Sequence, residues 1–230
     1  MICEEKGLLF IHVPKTSGTV LSRTVFKPTG HQHLGITGLR KFHSDLEWDS
    51  LIKFCFLRNP YDRFVSTYKQ LVNKKRTPAI THQMNIKDFR DFVLNYWSLM
   101  VTGKTDQVPA SNLKTWLQNN VLELEYSAFS PKTYQDYLQE VDGTLGVDFV
   151  LDFNFPRSQL RIIDKALIER NRPSISKSIG PILEINKSSY DNYWDRETRS
   201  TFTEICKSDI EFYNKLRLKI DMGSSLVSFS

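Results

Sequence analysis

Six consecutive residues, Pro14, Lys15, Thr16, Ser17, Gly18 and Thr19, put a fixed cation, three hydroxyls and a glycine directly after the apolar run LLFIHV (8–13). That combination is chemistry for an anion. A strand that ends in a turn and feeds a helix leaves several backbone N–H groups without partners at the helix start. Gly18 lets the backbone approach a ligand, the hydroxyls donate, and Lys15 adds a full charge. The order differs from the nucleoside-triphosphatase loop, where the lysine follows the last glycine, and this disfavours a nucleotide or small-molecule kinase. The same residues would also serve a plainer turn with a Ser or Thr N-cap and a solvated lysine.

A second cluster follows the run IKFCFL (52–57), in LRNPYDRFVSTY. Arg58 sits at the end of that run, where open α/β sheets carry their ligands. Asn59-Pro60 stops the strand and opens a helix, and Ser66 lies eight positions after Arg58. An arginine fork and a serine hydroxyl suit a second phosphate. The alternative is a structural pair of Arg58 with Asp62 and an ordinary helical serine.

The elements that must position these residues alternate. Runs 8–13 and 52–57 read as fully buried parallel strands, and VDFVLDF (147–153) is a third candidate. Helical patterns follow in TVLSRTVF, in GITGLRKFHSDL, in YDRFVSTYKQLVNKK with Phe64, Val65, Tyr68, Leu71 and Val72 on one face, in NIKDFRDFVLNYW, in ASNLKTWLQNN and in SQLRIIDKALIERN. One long helix is expected from Asp195 to Ile220. Strand, turn and helix in repeated order give an α/β fold with a parallel sheet. No repeat or linker divides the chain, so residues 1–220 read as one domain, with 221–230 a frayed, flexible tail.

The 230 residues carry a formal charge of +5, a mild excess that favours anionic partners without choosing among them. It is spread along the chain with no nucleic-acid-reading motif beside it. Cys3, Cys55 and Cys206 have no metal-like spacing, and the five histidines are scattered, so no metal site is expected. Cys55 and Cys206 read as small buried hydrophobes. MICEEKG does not read as a secretory leader, and no window approaches the roughly 20 apolar residues of a membrane helix.

Taken together, PKTSGT after one strand and RNPYDRFVSTY after the next resemble the sulfotransferase superfamily, most closely carbohydrate sulfotransferases of the heparan-sulfate 2-O and chondroitin type and their compact bacterial relatives. VDFVLDF and INKSSYDNYWDRETRSTFTEICKSDIEFYN are similar to that family's late strand and closing segment. The resemblance implies a P-loop-like three-layer fold, a small central parallel sheet flanked by helices. It implies sulfuryl transfer from 3′-phosphoadenosine 5′-phosphosulfate (PAPS) to a hydroxyl acceptor, with 3′,5′-adenosine bisphosphate (PAP) as the product and no metal. Pro14, Lys15, Thr16, Ser17, Gly18 and Thr19 would then grip the 5′-phosphosulfate, and Arg58 and Ser66 the 3′-phosphate. Lys187 and Ser188 would belong to a late loop over the nucleotide. Ser17 stands where the family usually has glycine, and Asn154 where an acidic residue is common.

Sulfuryl transfer needs positive charge at the leaving oxygen, which falls to Lys15, and a general base for the acceptor hydroxyl. A catalytic histidine of the family stands in the loop holding His31 and His33. HLGITGLRK matches best with His33 as that residue, leaving His31, His43 or Glu47 as alternatives. His12 reads as a packed core residue and His82 as a surface one. A carbohydrate acceptor is expected, with Arg157, Arg161, Arg170 and Arg172 available to an acidic one. So is a cytoplasmic enzyme, or else a Golgi lumenal domain trimmed of its anchor. A non-catalytic nucleotide- or polyanion-binding module is the remaining alternative.

Overall fold

The computed structural model describes residues 1–26, 33–72, 86–98, 101, 131–175, 179 and 190–221. His31, His82, Lys187, Ser188, the helix expected in 110–120 and nearly all of the expected tail lie outside them. The chain gathers into two compact units. One comprises Met1–Arg58, Tyr134–Asn186 and Phe212–Ser230, the other Asn59–Thr133 and Lys187–Glu211.

The first unit is built on a four-stranded sheet in the order β1 (Ile2–Cys3), β2 (Leu8–Phe10), β3 (Ile52–Leu57), β4 (Phe149–Asp152). β2, β3 and β4 are parallel, with Phe10 opposite Phe54 and Leu57 opposite Asp152. The helices of this unit are α1 (Gly18–Thr24), α2 (Ile36–Phe42), α4 (Tyr134–Leu138) and α5 (Pro156–Glu169), with the second half of α7 (Lys207–Asp221).

Alternation along each strand sends its residues to opposite faces. Leu9, Ile11, Cys55, Leu57 and Val150 pack with Ile36, Leu39, Tyr134, Tyr137, Phe212 and Leu216 on one side. Leu8, Phe10, Phe54, Phe56 and Leu151 pack with Leu21, Leu160, Ile163 and Leu167 on the other. Both faces are covered, so neither can be polar, which is why these strands read as unbroken apolar runs. The result is the expected three-layer α/β arrangement. β1 was not expected: it pairs antiparallel with β2 through a turn in which Gly7 takes φ 58°, a left-handed value that glycine accepts without strain.

The second unit is helical. α3 (Pro60–Val72) opens with Asn59 Oδ1 accepting from the Tyr61 N–H at 2.9 Å, and Pro60 takes the first helical position, where its missing N–H costs nothing. α6 (Arg196–Ile205) opens with a capping box between Asp195 and Thr198. Phe64, Phe89, Phe92, Trp97, Phe202 and Cys206 form its core with half-buried tyrosines around them. Arg63 pairs with the buried Asp209 at 2.7 Å.

Two helical readings needed correction. Among the described residues of NIKDFRDFVLNYW only Phe89–Asp91 is α-helical, and Phe92–Trp97 widens into a π-helix. The wider turn brings the adjacent pairs Phe92, Val93 and Tyr96, Trp97 into the interior together. The single closing helix is two, α6 and α7, broken at Cys206, whose Sγ accepts from Trp97 Nε1 at 3.3 Å. Phe202 and Cys206 serve the aromatic core, while Phe212 and Leu216 serve the sheet, and one straight helix has only one apolar stripe. Among the described residues, no helix is long and apolar enough to cross a membrane, and no group of His, Cys, Asp and Glu side chains is placed to hold a metal ion.

Candidate active site

The C-terminal ends of β2, β3 and β4 converge on one edge of the sheet in the first unit. The β2 extension runs through Ile11 to Pro14, the last residue of β3 is followed by Arg58, and the last residue of β4 is followed by Phe153. Between β2 and α1 the chain makes a turn in which both Lys15 and Ser17 take φ 68°. These are left-handed conformations at residues bearing Cβ atoms, which cost on the order of 1 kcal/mol each and concentrate at functional sites. Alternation of left- and right-handed residues is how a backbone aims successive N–H groups into one concavity. Among the described residues, the N–H groups of Thr16, Ser17, Gly18 and Thr19 have no backbone acceptor.

The side chains of this turn are not all turned outward as their hydroxyls suggested. Thr16 is fully buried and its hydroxyl donates to the Val13 carbonyl at 2.6 Å, so it braces the turn from within. Ser17 occupies the N-cap position of α1 but makes no side-chain capping bond, so the N-cap explanation of these residues fails for it. Thr19 is exposed on the first turn of α1. Gly18 has a different reason from the one expected. A Cβ there would lie 1.9 Å from Nε2 of His12, so its vacant space is filled by that imidazole, not reserved for a ligand.

His12 is buried, as expected of a residue in the first strand run, and it is also part of the site. Its ring stacks on Phe10 at 5.7 Å and meets the His33 ring at 4.4 Å between centroids, with 40° between planes. His33 is thereby brought to the turn, three residues ahead of α2. Burial holds its imidazole below the ordinary pKa of 6.5, a hydrogen bond with the His12 backbone opposes this, and the Lys15 charge lowers it further. The neutral, proton-accepting form of His33 is therefore the resting one at neutral pH. His43, by contrast, ends α2, and its carbonyl accepts from Trp48 Nε1 at 3.0 Å just ahead of β3. Glu47 is exposed in the same segment. Both lie by the N-terminal end of β3, a strand about 20 Å long with Arg58 at its far end.

Arg58 is buried, 8 % exposed. Its Nη1 donates to the Lys15 carbonyl at 2.9 Å, and its guanidinium lies 4.7 Å over the Phe153 ring. Tyr134, fully buried on α4, accepts from the Arg58 N–H at 2.9 Å and donates to the Arg58 carbonyl at 2.8 Å. Ser66 is half-buried on α3 in the second unit. Asn154 is exposed, with its N–H on Asp152 Oδ1.

A sequence model of the sulfotransferase family matches residues 1–215. The chain belongs to the sulfotransferase family. No curated protein and no solved structure gives a match. Two features of this candidate site carried no recognisable signal in the sequence. Tyr134 and Phe153 reach Arg58 from elements 76 and 95 positions away, distances at which spacing says nothing. His12 did carry one: a histidine inside an otherwise aliphatic and aromatic strand invites the question of what its polar edge faces.

Proposed function

We propose that this sulfotransferase moves a sulfuryl group from PAPS to a carbohydrate hydroxyl. The observation that carries the reading is the turn after β2: Lys15 and Ser17 are left-handed, and the N–H groups of Thr16, Ser17, Gly18 and Thr19 have no backbone acceptor among the described residues, which fits a phosphate-like anion with the Arg58 cation one hydrogen bond away. Pro14 fixes the entry to that turn. Lys15, Thr16, Ser17, Gly18 and Thr19 hold the 5′-phosphosulfate, mostly through main-chain N–H groups. Arg58 holds the 3′-phosphate, and Ser66, Lys187 and Ser188 join the donor site on the strength of the sequence likeness. The carbohydrate acceptor rests on that likeness too. The family match runs through both compact units, which supports reading 1–220 as one sulfotransferase domain.

In the reaction, the acceptor oxygen forms a bond to sulfur as the bond from sulfur to the bridging phosphate oxygen breaks, in line. His33, neutral at rest, takes the proton of the acceptor hydroxyl. The Lys15 ammonium stabilises the charge that develops on the departing phosphate oxygen. The chain's own groups supply these roles without a metal.

Thermal unfolding with PAP, ADP and ATP tests the reading. A ligand at about 100 times its Kd adds roughly 2.7 kcal/mol to stability. Stabilisation by PAP well beyond that by ADP or ATP is expected. A preference for ATP, or no response to PAP, overturns it.

A further inference from the structure

In the parallel ladder around β3, successive residues direct their N–H and C=O groups to alternate neighbours. Ile52 and Phe54 bond toward β2, through Gly7 and Ile11, whereas Lys53 and Leu57 bond toward β4, through Asp148 and Phe153. By this parity Arg58 faces the β2 side. There the chain has already turned away at Pro14, and among the described residues no strand is left to receive it. The Tyr134 hydroxyl takes that place, accepting from the Arg58 N–H and donating to the Arg58 carbonyl, at 2.9 and 2.8 Å. Tyr134 is fully buried, so no water competes for either group.

We propose that Tyr134 is a positioning residue of the donor site: its hydroxyl replaces a missing strand, holds Arg58 extended one residue beyond the sheet, and so sets the selectivity for a nucleotide bearing a 3′-phosphate. The proposal rests on the donor reading above. Removing the hydroxyl takes away the partner that the buried Arg58 N–H and C=O share and frees the backbone that aims the guanidinium past Phe153 to Lys15.

The test is the ratio of Kd for adenosine 5′-monophosphate to Kd for PAP, two probes that differ only in the 3′-phosphate. The wild type should favour PAP. Tyr134→Phe should cut that ratio by about tenfold or more, with monophosphate affinity changed less than about threefold. Tyr137→Phe, a fully buried tyrosine on the same helix, should keep the ratio. In Arg58→Ala, adding Tyr134→Phe should change the ratio no further. Equal weakening of both nucleotides, or an unchanged ratio, overturns the proposal. A wild type without preference for PAP overturns the donor reading itself, a different signature. Should Tyr134→Phe fail to fold, hydrogen exchange at the wild-type Arg58 amide decides. Exchange as slow as in the middle of β3 is expected, and exchange at the rate of an exposed amide overturns the assignment.

Discussion

The guanidinium of Arg58 donates to the main-chain carbonyl of Lys15 at 2.9 Å, joining the two sequence motifs through one hydrogen bond. The chain has no cis peptide among the described residues, so the carbonyl of Lys15 and the N–H of Thr16 point in opposite directions. Arg58 thus holds one side of that peptide, and the N–H groups of the turn present another. On the proposed reading, these two faces would take the two separate phosphates of the donor.

Arg58→Ala should weaken PAP binding by about 2–4 kcal/mol, roughly 30- to 1,000-fold, because a desolvated charged hydrogen bond is lost. Isothermal titration measures this directly. Arg58→Lys should recover only part of it, since a single ammonium cannot serve the carbonyl and a phosphate as the planar fork does. Unchanged PAP affinity in Arg58→Ala removes Arg58 from the donor site.

Ser17 holds a left-handed conformation without a capping bond to compensate. Glycine there removes the steric cost, about 1 kcal/mol, and returns part of it as entropy of the unfolded chain. Ser17→Gly should stabilise the protein by about 0.5 kcal/mol, a rise of about 1–2 °C in Tm, and Ser17→Val should destabilise it. A lower Tm for Ser17→Gly would mean that the serine hydroxyl contributes to folding after all.

Gly18→Ala should displace the His12 ring, at a cost of about 1–3 kcal/mol for overpacking. His12→Ala opens the space that the added methyl needs. The double variant should therefore be more stable than the sum of the two single losses, by about 1 kcal/mol in a double-mutant cycle. Strict additivity would show that the ring and the glycine do not share that space.

The pKa of His33 is lowered in the folded protein, by burial first. In the window between the lowered value and 6.5, the unfolded chain binds more protons than the folded one. Stability should therefore rise with pH across that window and level off above 6.5. The acid limb of kcat/KM should have its midpoint below 6.5, and His33→Ala should abolish it with a fall in kcat of about 10²–10⁴-fold. A midpoint at or above 6.5, or an unchanged kcat, excludes His33 as the base.

Local order was written plainly in the sequence. The apolar run 52–57, the Asn59-Pro60 break and the 3.6-residue stripe of α3 each depend on neighbours a few positions apart, and each appeared where its residues placed it, whereas the run 8–13 is a strand only over Leu8–Phe10. The turn after β2 was legible for the same reason: a turn that leaves N–H groups without backbone acceptors must be built from consecutive residues. Two features only the tertiary structure could decide. One is the use of each polar group: the Thr16 hydroxyl turned inward to Val13, and the room above Gly18 went to His12. The other is the long-range support of Arg58 by Tyr134 and Phe153. The physical reason is common to both. Hydrogen bonds and ring contacts form between whatever the packed layers bring within about 3–5 Å, and chain separation has no part in that distance.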